Sequence, residues 1–250
     1  MPRYDFSTKR LFVKAPLAVA AEISLNSLQT NYVRNVLRLS QGDRILVFNG
    51  QDGEWETRIQ QTNRKNIVLK VQSQARPQEA RPDLRYLFAP LKQARQDYMI
   101  EKAVEMGAGH LLPVVTRRTQ ARRVNLERME AHAIEAAEQC GILSIPEIAP
   151  LRHLETQLGE WDPLRLLIFC DEDAPVGRAF DILQPREKQD PVPLAILIGP
   201  EGGFDPAERQ LLLSLPFVLR LPLGPRILRA DTAAVAALAL VQAALGDWRG

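Results

Sequence analysis

The chain has 250 residues, 46% hydrophobic and 25% charged, with a formal net charge of +2, enough for one large domain or two modest ones that each bury a core. The longest apolar run, Ala233–Val241, falls short of the roughly 20 residues of a membrane span, and Met1–Val13 intersperses charges among its apolar residues, so the chain reads as soluble and cytoplasmic, without membrane contact or signal peptide. Two cysteines (Cys140, Cys170) outside any C-x-x-C pair and three scattered histidines (His110, His132, His153) argue against a disulfide framework or zinc site and predict that no metal is needed.

Residues 1–72 read as a strand-rich unit. Arg44–Phe48, Glu54–Gln60 and Asn66–Val71 partly alternate apolar and polar positions, and Asn49-Gly50 and Asp52-Gly53 supply tight turns for antiparallel pairing. Over Ser27–Leu39 the period becomes helical: Leu28, Tyr32, Asn35/Val36 and Leu39 fall near one face, and Arg34 and Arg38 form a basic i,i+4 pair. Ser73–Asp83, with two prolines, several charges and no apolar stripe, reads as a linker. Strands and helices then alternate. Strands are expected at Leu84–Leu91, His110–Val115, Arg165–Cys170, Pro193–Ile198 and Phe217–Leu221, and helices at Gln96–Met106, Asn125–Cys140 (Asn125 as N-cap, Gly141 beyond the end) and Asp231–Trp248. This alternation implies a largely parallel sheet covered on both faces.

Charge is polarised along the chain. Residues 1–123 carry 21 Lys and Arg against 11 Asp and Glu, whereas residues 124–250 carry 11 against 19. Either the first part faces a polyanion or these are solvated faces. Three stretches could carry chemistry. Ile198–Phe204 (IGPEGGF) follows a strand, and its glycines let backbone approach a ligand closely, although such a turn can also be only a turn. Leu221–Ala233 (LPLGPRILRADTA) joins a strand to a helix, with Asp231 or Thr232 as cap; its arginines flank an apolar pair, which suits an apolar pocket beside an anionic substrate or a basic surface turn. Glu135–Gly141 (EAAEQCG) closes a helix and is compatible with an ordinary helix end. There is no phosphate loop, G-x-G-x-x-G or G-x-S-x-G motif.

Five segments stand in order: Tyr32–Arg38 with Gly42-Asp43; Lys92, Lys102 and Glu105-Met106-Gly107; Glu135–Gly141; Gly199–Phe204; and Leu223–Ala233. In this order and at these intervals they resemble the RsmE family, ribosomal RNA uridine-N3 methyltransferases of the SPOUT superfamily, over almost the whole chain. The resemblance implies an α/β protein with a PUA-like RNA-binding β-barrel over 1–72, a linker over 73–83, and a SPOUT domain over 84–250 whose deep trefoil knot lies within 165–235. It implies S-adenosylmethionine (SAM)-dependent methylation of uridine N3 in the decoding region of 16S rRNA, on the small ribosomal subunit, by a homodimer. For SAM it points to Phe169, Cys170, Ile198, Gly199, Pro200, Gly202, Leu221, Leu223, Gly224, Ile227, Leu228 and Thr232. For catalysis, Arg226 and Arg229 are candidates for substrate phosphate and carbonyl contacts as preorganised cationic donors, with Glu201, Asp231 or solvent as proton acceptor. For RNA, the basic excess of residues 1–123 points to Arg34, Arg38, Arg117, Arg118, Arg122 and Arg123, and the matched segments add Lys92 and Gln139. Two positions depart from the family pattern: Ile142 stands where an arginine is common, and Asp231 where Glu is frequent. Two other readings remain. One is a SPOUT ribose 2′-O-methyltransferase of tRNA or rRNA, against which the N-terminal barrel and the A-x-E-Q segment argue. The other is a non-catalytic RNA-binding assembly factor, against which the intact GPEGGF and RILR stretches argue.

Overall fold

The computed structural model describes residues 5, 7–62, 66–175, 177, 179–183 and 192–249; the remainder of the N-terminal reading, and the parts of the expected knotted span at 176, 178 and 184–191, lie outside the described residues. The chain divides into two units, Met1–Arg81 with Ile134–Ile145, and Pro82–Ala133 with Pro146–Gly250.

In the first unit, strands β1 (Arg10–Phe12), β2 (Glu22–Ser24), β3 (Arg44–Phe48), β4 (Glu54–Thr62) and β5 (Ile67–Arg76) form a sheet in the order β1-β3-β4-β5-β2. β1 runs parallel to β3; the other pairs are antiparallel. The period-2 pattern is clearest in β5, where Ile67, Leu69 and Val71 are buried together with Val33, Ile45, Val47 and Ile59. Each such side chain contributes about 1.5–3 kcal/mol of burial. Three register shifts between β4 and β5 mark bulges, which bend and twist a sheet.

Two expectations change here. The helix read over 27–39 is a short α1 (Ser27–Asn31), opened by an Asn26/Gln29 capping box, followed by a π-helical turn at Tyr32–Val36. Arg38 then takes φ +57, outside helical space, so Arg34 and Arg38 do not share a helical ridge. The linker is shorter than read, because β5 continues to Arg76. That guanidinium donates to Glu54 (2.9 and 3.1 Å), which also accepts from buried Arg10 (2.7 Å). Apolar periodicity has no way to announce a strand end held by an ion cluster.

Residues 134–145 pack Ala137 and Leu143 against Phe48, with Phe12, Ile142 and Ile145 around them. Ile142, one of the two departures from the family pattern, is therefore part of an apolar cluster. Gly141 takes φ +68, the left-handed conformation that ends a helix after Cys140.

The second unit is built on parallel strands β6 (Leu84–Phe88), β7 (His110–Val115), β8 (Glu147–Ile148), β9 (Arg152–His153), β10 (Leu166–Cys170), β11 (Leu194–Ile198) and β12 (Val218–Leu221). Their order among the described residues is β12-β10-β11-β6-β7-β8, with β9 also paired to β7. Every residue of central β11 is buried, the continuous apolar run expected of a strand covered on both faces. On one face, Leu87, Phe169, Ala195 and Leu197 meet Leu154 and Leu158 of α4 (Leu154–Gly159) and Leu212 of α6 (Pro206–Ser214). The helices α2 (Gln93–Glu105) and α7 (Ala230–Ala244) pack against each other, and α7 against β11. Met99, Ile100, Ala103 and Val104 form the buried stripe of α2, as its spacing predicts.

Between these helices in the chain, α3 (Leu126–Cys140) has Asn125 Oδ1 accepting from the Arg128 amide at 3.0 Å, the expected cap. A short α5 (Ala179–Ile182) precedes β11. The last helix is shorter than read: α7 stops at Ala244, and a 3-10 turn follows at Asp247–Arg249. Buried Gln242 accounts for the stop, because its side chain accepts from the Asp247 amide (3.1 Å) and donates to the Met106 carbonyl (2.8 Å). Nor do Asp231 and Thr232 cap α7. Arg229 occupies the cap position and makes no side-chain cap bond. Among the described residues, no helix is long and apolar enough to cross a membrane.

Candidate active site

Strands β10, β11 and β12 end side by side at Cys170, Ile198 and Leu221, and the turns after them line a cleft of about 490 Å³. Ligands of open α/β sheets bind at this edge. Residues 198–201, 203 and 204 form one wall, 170–174 a second and 222–230 a third.

The middle turn is pinned at both ends. Gly203 donates to the Pro200 carbonyl at 2.9 Å, and the Phe204 ring meets Phe169 edge-on. Immediately after, Asp205 and Glu208 form a capping box that starts α6. On the second wall, Asp171 is buried and accepts from Arg209 (3.0 Å) and Arg220 (2.6 Å), while Arg220 also donates to the Asp173 carbonyl. This arrangement fixes the turn that carries exposed Glu172 and Asp173 into the cleft. Desolvation pushes the Cys170 thiol up to about 12, so it lines the cleft as a neutral group rather than a nucleophile.

Of the residues expected to hold the cofactor, Cys170, Ile198, Gly199, Pro200, Leu223, Gly224, Ile227 and Leu228 line this cleft. Phe169 and Leu221 are fully buried behind it. Gly202 faces away, toward the Arg118 side chain, and exposed Thr232 is on α7 outside the lining. Arg226, Arg229 and Glu201 line the cleft, and Glu201 is ion-paired with Arg95. Asp231, in the first turn of α7, does not.

None of the residues expected to meet RNA is among those that line this cleft. Arg38, Lys92, Arg122, Arg123 and Gln139 are exposed, and Arg34 is half-buried. Arg117 is engaged with Asp205 (3.1 Å) and Glu155 (3.3 Å), and Arg118 donates to the Gly202 carbonyl (3.0 Å). Sequence reading missed Asp171, Glu172 and Asp173, although three acids directly after a strand were a visible signal; it also missed Arg95, Arg209 and Arg220, for which the letters hold none.

The cleft chemistry fits SAM. Ile198, Leu223 and Leu228 offer apolar surface, the bare backbone of the turns offers hydrogen bonds, and Glu172 and Asp173 offer negative charge to a cationic ligand.

Residues 78–242 match the RNA methyltransferase domain family, and residues 28–72 match the RNA methyltransferase PUA domain. A Rickettsia conorii protein named ribosomal RNA small subunit methyltransferase E is 32% identical, covering 93% of this chain and 94% of that one. A Bacillus subtilis protein of the same name is 26% identical, over 96% of each. Among solved structures, a Legionella pneumophila methyltransferase with bound SAM superposes with a TM-score of 0.80 at 28% identity, covering 95% of this chain and 98% of the other. A Neisseria gonorrhoeae ribosomal RNA small subunit methyltransferase E shares the fold, with a TM-score of 0.80 at 24% identity over 94% and 97%.

Proposed function

We propose a function for this chain from one premise: it belongs to the RNA methyltransferase family whose curated members are named ribosomal RNA small subunit methyltransferase E. It is a SAM-dependent enzyme, and its substrate is the RNA of the small ribosomal subunit. The acceptor atom is N3 of a uridine. The observation that carries the reading is the convergence of three strand-end turns on one cleft, in a chain that matches its relative over 93% of its length.

Bound SAM supplies an electrophilic methyl group on a sulfonium sulfur. The chain's own residues do the rest. Backbone at 198–200 and 222–224 would hold the cofactor beside the apolar surface of Ile198, Leu223 and Leu228, and Glu172 and Asp173 would supply negative charge for a cationic ligand. Arg226 and Arg229 at the rim meet substrate phosphate and add positive potential where negative charge develops on the base. Glu201 takes the N3 proton; its position on the rim supports it over Asp231, which lies off the cleft. The uridine must be unpaired, because N3 lies on its Watson–Crick edge.

We read the first unit as a PUA-like RNA-binding barrel, supported by the match over 28–72 and by the basic excess of residues 1–123. We read the second as a knotted SPOUT domain. Support comes from the sheet order, in which β12 pairs with β10 rather than with its predecessor β11. A homodimer completes the site. On α7 one side is buried within the chain, while Ala233, Ala236, Leu240 and Ala244 remain partly exposed, and Ile227 at the cleft rim is 90% exposed. Sedimentation at micromolar concentration tests the dimer, and a fully active monomer rejects it.

Nucleoside mapping tests the activity. Deleting the gene removes N3-methyluridine from small-subunit RNA, and the wild-type chain restores it. An unchanged profile, or loss of a 2′-O-methylated nucleoside instead, overturns the reading.

A further inference from the structure

A second recess, of about 230 Å³, adjoins the large cleft across the 200–202 turn, since Pro200 and Glu201 line both. Its other walls bring together Lys92, at the start of α2, and Arg118 and Gln120 from the segment after β7, over an apolar floor of Pro90 and Leu91.

These walls are stiff. Thr116 and Thr119 are both buried; the Thr116 amide donates to Thr119 Oγ1 (2.9 Å) and the Thr119 amide to the Thr116 carbonyl (3.1 Å). The next amide, that of Arg117, donates to Glu208 at 2.8 Å, which ties the turn to the start of α6. Arg118 ties it to the Gly202 carbonyl. Glu201 is held by Arg95. Gln120 and Glu201 are therefore presented to the same small space from a fixed frame.

The recess sets one carboxylate among amide and cationic donors. The Watson–Crick edge of uracil is an N–H flanked by two carbonyl oxygens, and it needs an acceptor flanked by donors. Cytosine shows a bare N3 beside an amino group, and a ribose hydroxyl has no such edge. We propose that this recess receives the acceptor base, an unpaired uracil turned out of its stack, with Gln120 and Lys92 as specificity-determining contacts to its carbonyl oxygens and Glu201 facing N3–H. The proposal rests on the functional reading above and adds the residues that choose the base. Arg118 is already spent on Gly202, so it shapes the wall instead of reading the base.

The probes are unmethylated small ribosomal subunits from a strain lacking the gene, and the same subunits carrying cytidine at the target position. Gln120→Ala and Lys92→Ala should bind SAM as the wild type does by calorimetry, yet bind the uridine subunits about tenfold more weakly, each variant narrowing the preference for uridine over cytidine. Gln120→Glu, which places an acceptor where the amide donated, should lose more than Gln120→Ala and narrow that preference further. Variants that keep the wild-type preference overturn the proposal, including a Lys92→Ala that only lowers the salt slope, as a phosphate contact would. A wild-type enzyme that binds uridine and cytidine subunits alike sinks the functional reading itself, and this proposal with it.

Discussion

At Gly203 the backbone takes φ +67, and a Cβ there would lie 2.1 Å from Glu172 Oε1. The left-handed conformation costs a residue with a side chain about 1–2 kcal/mol, and Glu172 would be displaced within the cleft. Gly203→Val should therefore weaken SAM binding at least about tenfold, which is about 1.4 kcal/mol. A Cβ at neighbouring Gly202 meets the Arg118 side chain at an ordinary 3.7 Å, so Gly202→Val should bind SAM nearly as the wild type does. Titration calorimetry on both variants decides it, and equal losses would refute the assignment of the two glycines. Their letters are identical, and only the dihedral and the facing atoms tell them apart, so the sequence marks the GPEGGF turn as a candidate without separating its two glycines. Another single-residue effect lies at Glu138, whose carboxyl is raised to about 7 by desolvation, against the Phe12 amide that donates to it at 2.7 Å, with Glu135 adding repulsion. Its folded value exceeds the unfolded 4.5. The stability it contributes is complete below that lower value and is lost as pH rises through about 7, on the order of 2–4 kcal/mol in all. Glu138→Gln should flatten the fall in denaturant midpoint across this window; an unaltered slope would show that Glu138 is not its source.

Among the elements, periodicity located β3, β4 and β5, the strands β6, β7, β10, β11 and β12, and the buried stripe of α2, because burial is written directly in the order of apolar residues; β1, β2, β8 and β9, of two or three residues each, are too short to show a period. It failed where polar side chains set the boundary. The end of β5 depends on Arg76 reaching Glu54, and the end of α7 on the two bonds of Gln242. It also missed the π-turn after α1, since Tyr32–Val36 reads as helix by spacing alone. The Glu54 cluster has a measurable consequence. Glu54 is 1% exposed and neutralises Arg10, which is 6% exposed, and Arg76. Removing the shared carboxylate leaves two cations facing each other with little water, and losing one partner of a buried pair typically costs about 3–5 kcal/mol. Glu54→Gln should lower the urea midpoint of the first unit accordingly, and Glu54→Leu combined with Arg10→Met should recover part of the loss. A single variant within about 0.5 kcal/mol of the wild type would show the cluster to be dispensable.

For the molecule as a whole, the charge polarity visible in the sequence bears on how RNA is held. Exposed Arg122 and Arg123 can each neutralise a phosphate, whereas Arg117 is already engaged with Asp205 and Glu155. The salt slope of small-subunit binding should drop by about one unit for Arg122→Ala or Arg123→Ala and by less for Arg117→Ala. A slope unchanged in the first two variants would remove them from the contact. The strand order carries a different consequence, for how the chain reaches its native state. The cleft exists only where Cys170, Ile198 and Leu221 have come together, and β12 reaches β10 past the intervening β11. No hairpin or local helix can nucleate such a cleft, and parallel pairings of distant segments are slow to form. Competence to bind SAM should consequently lag behind the return of helical circular dichroism during refolding. Ligand present from the start cannot hasten the steps before the cleft exists; it can only capture chains that have completed it.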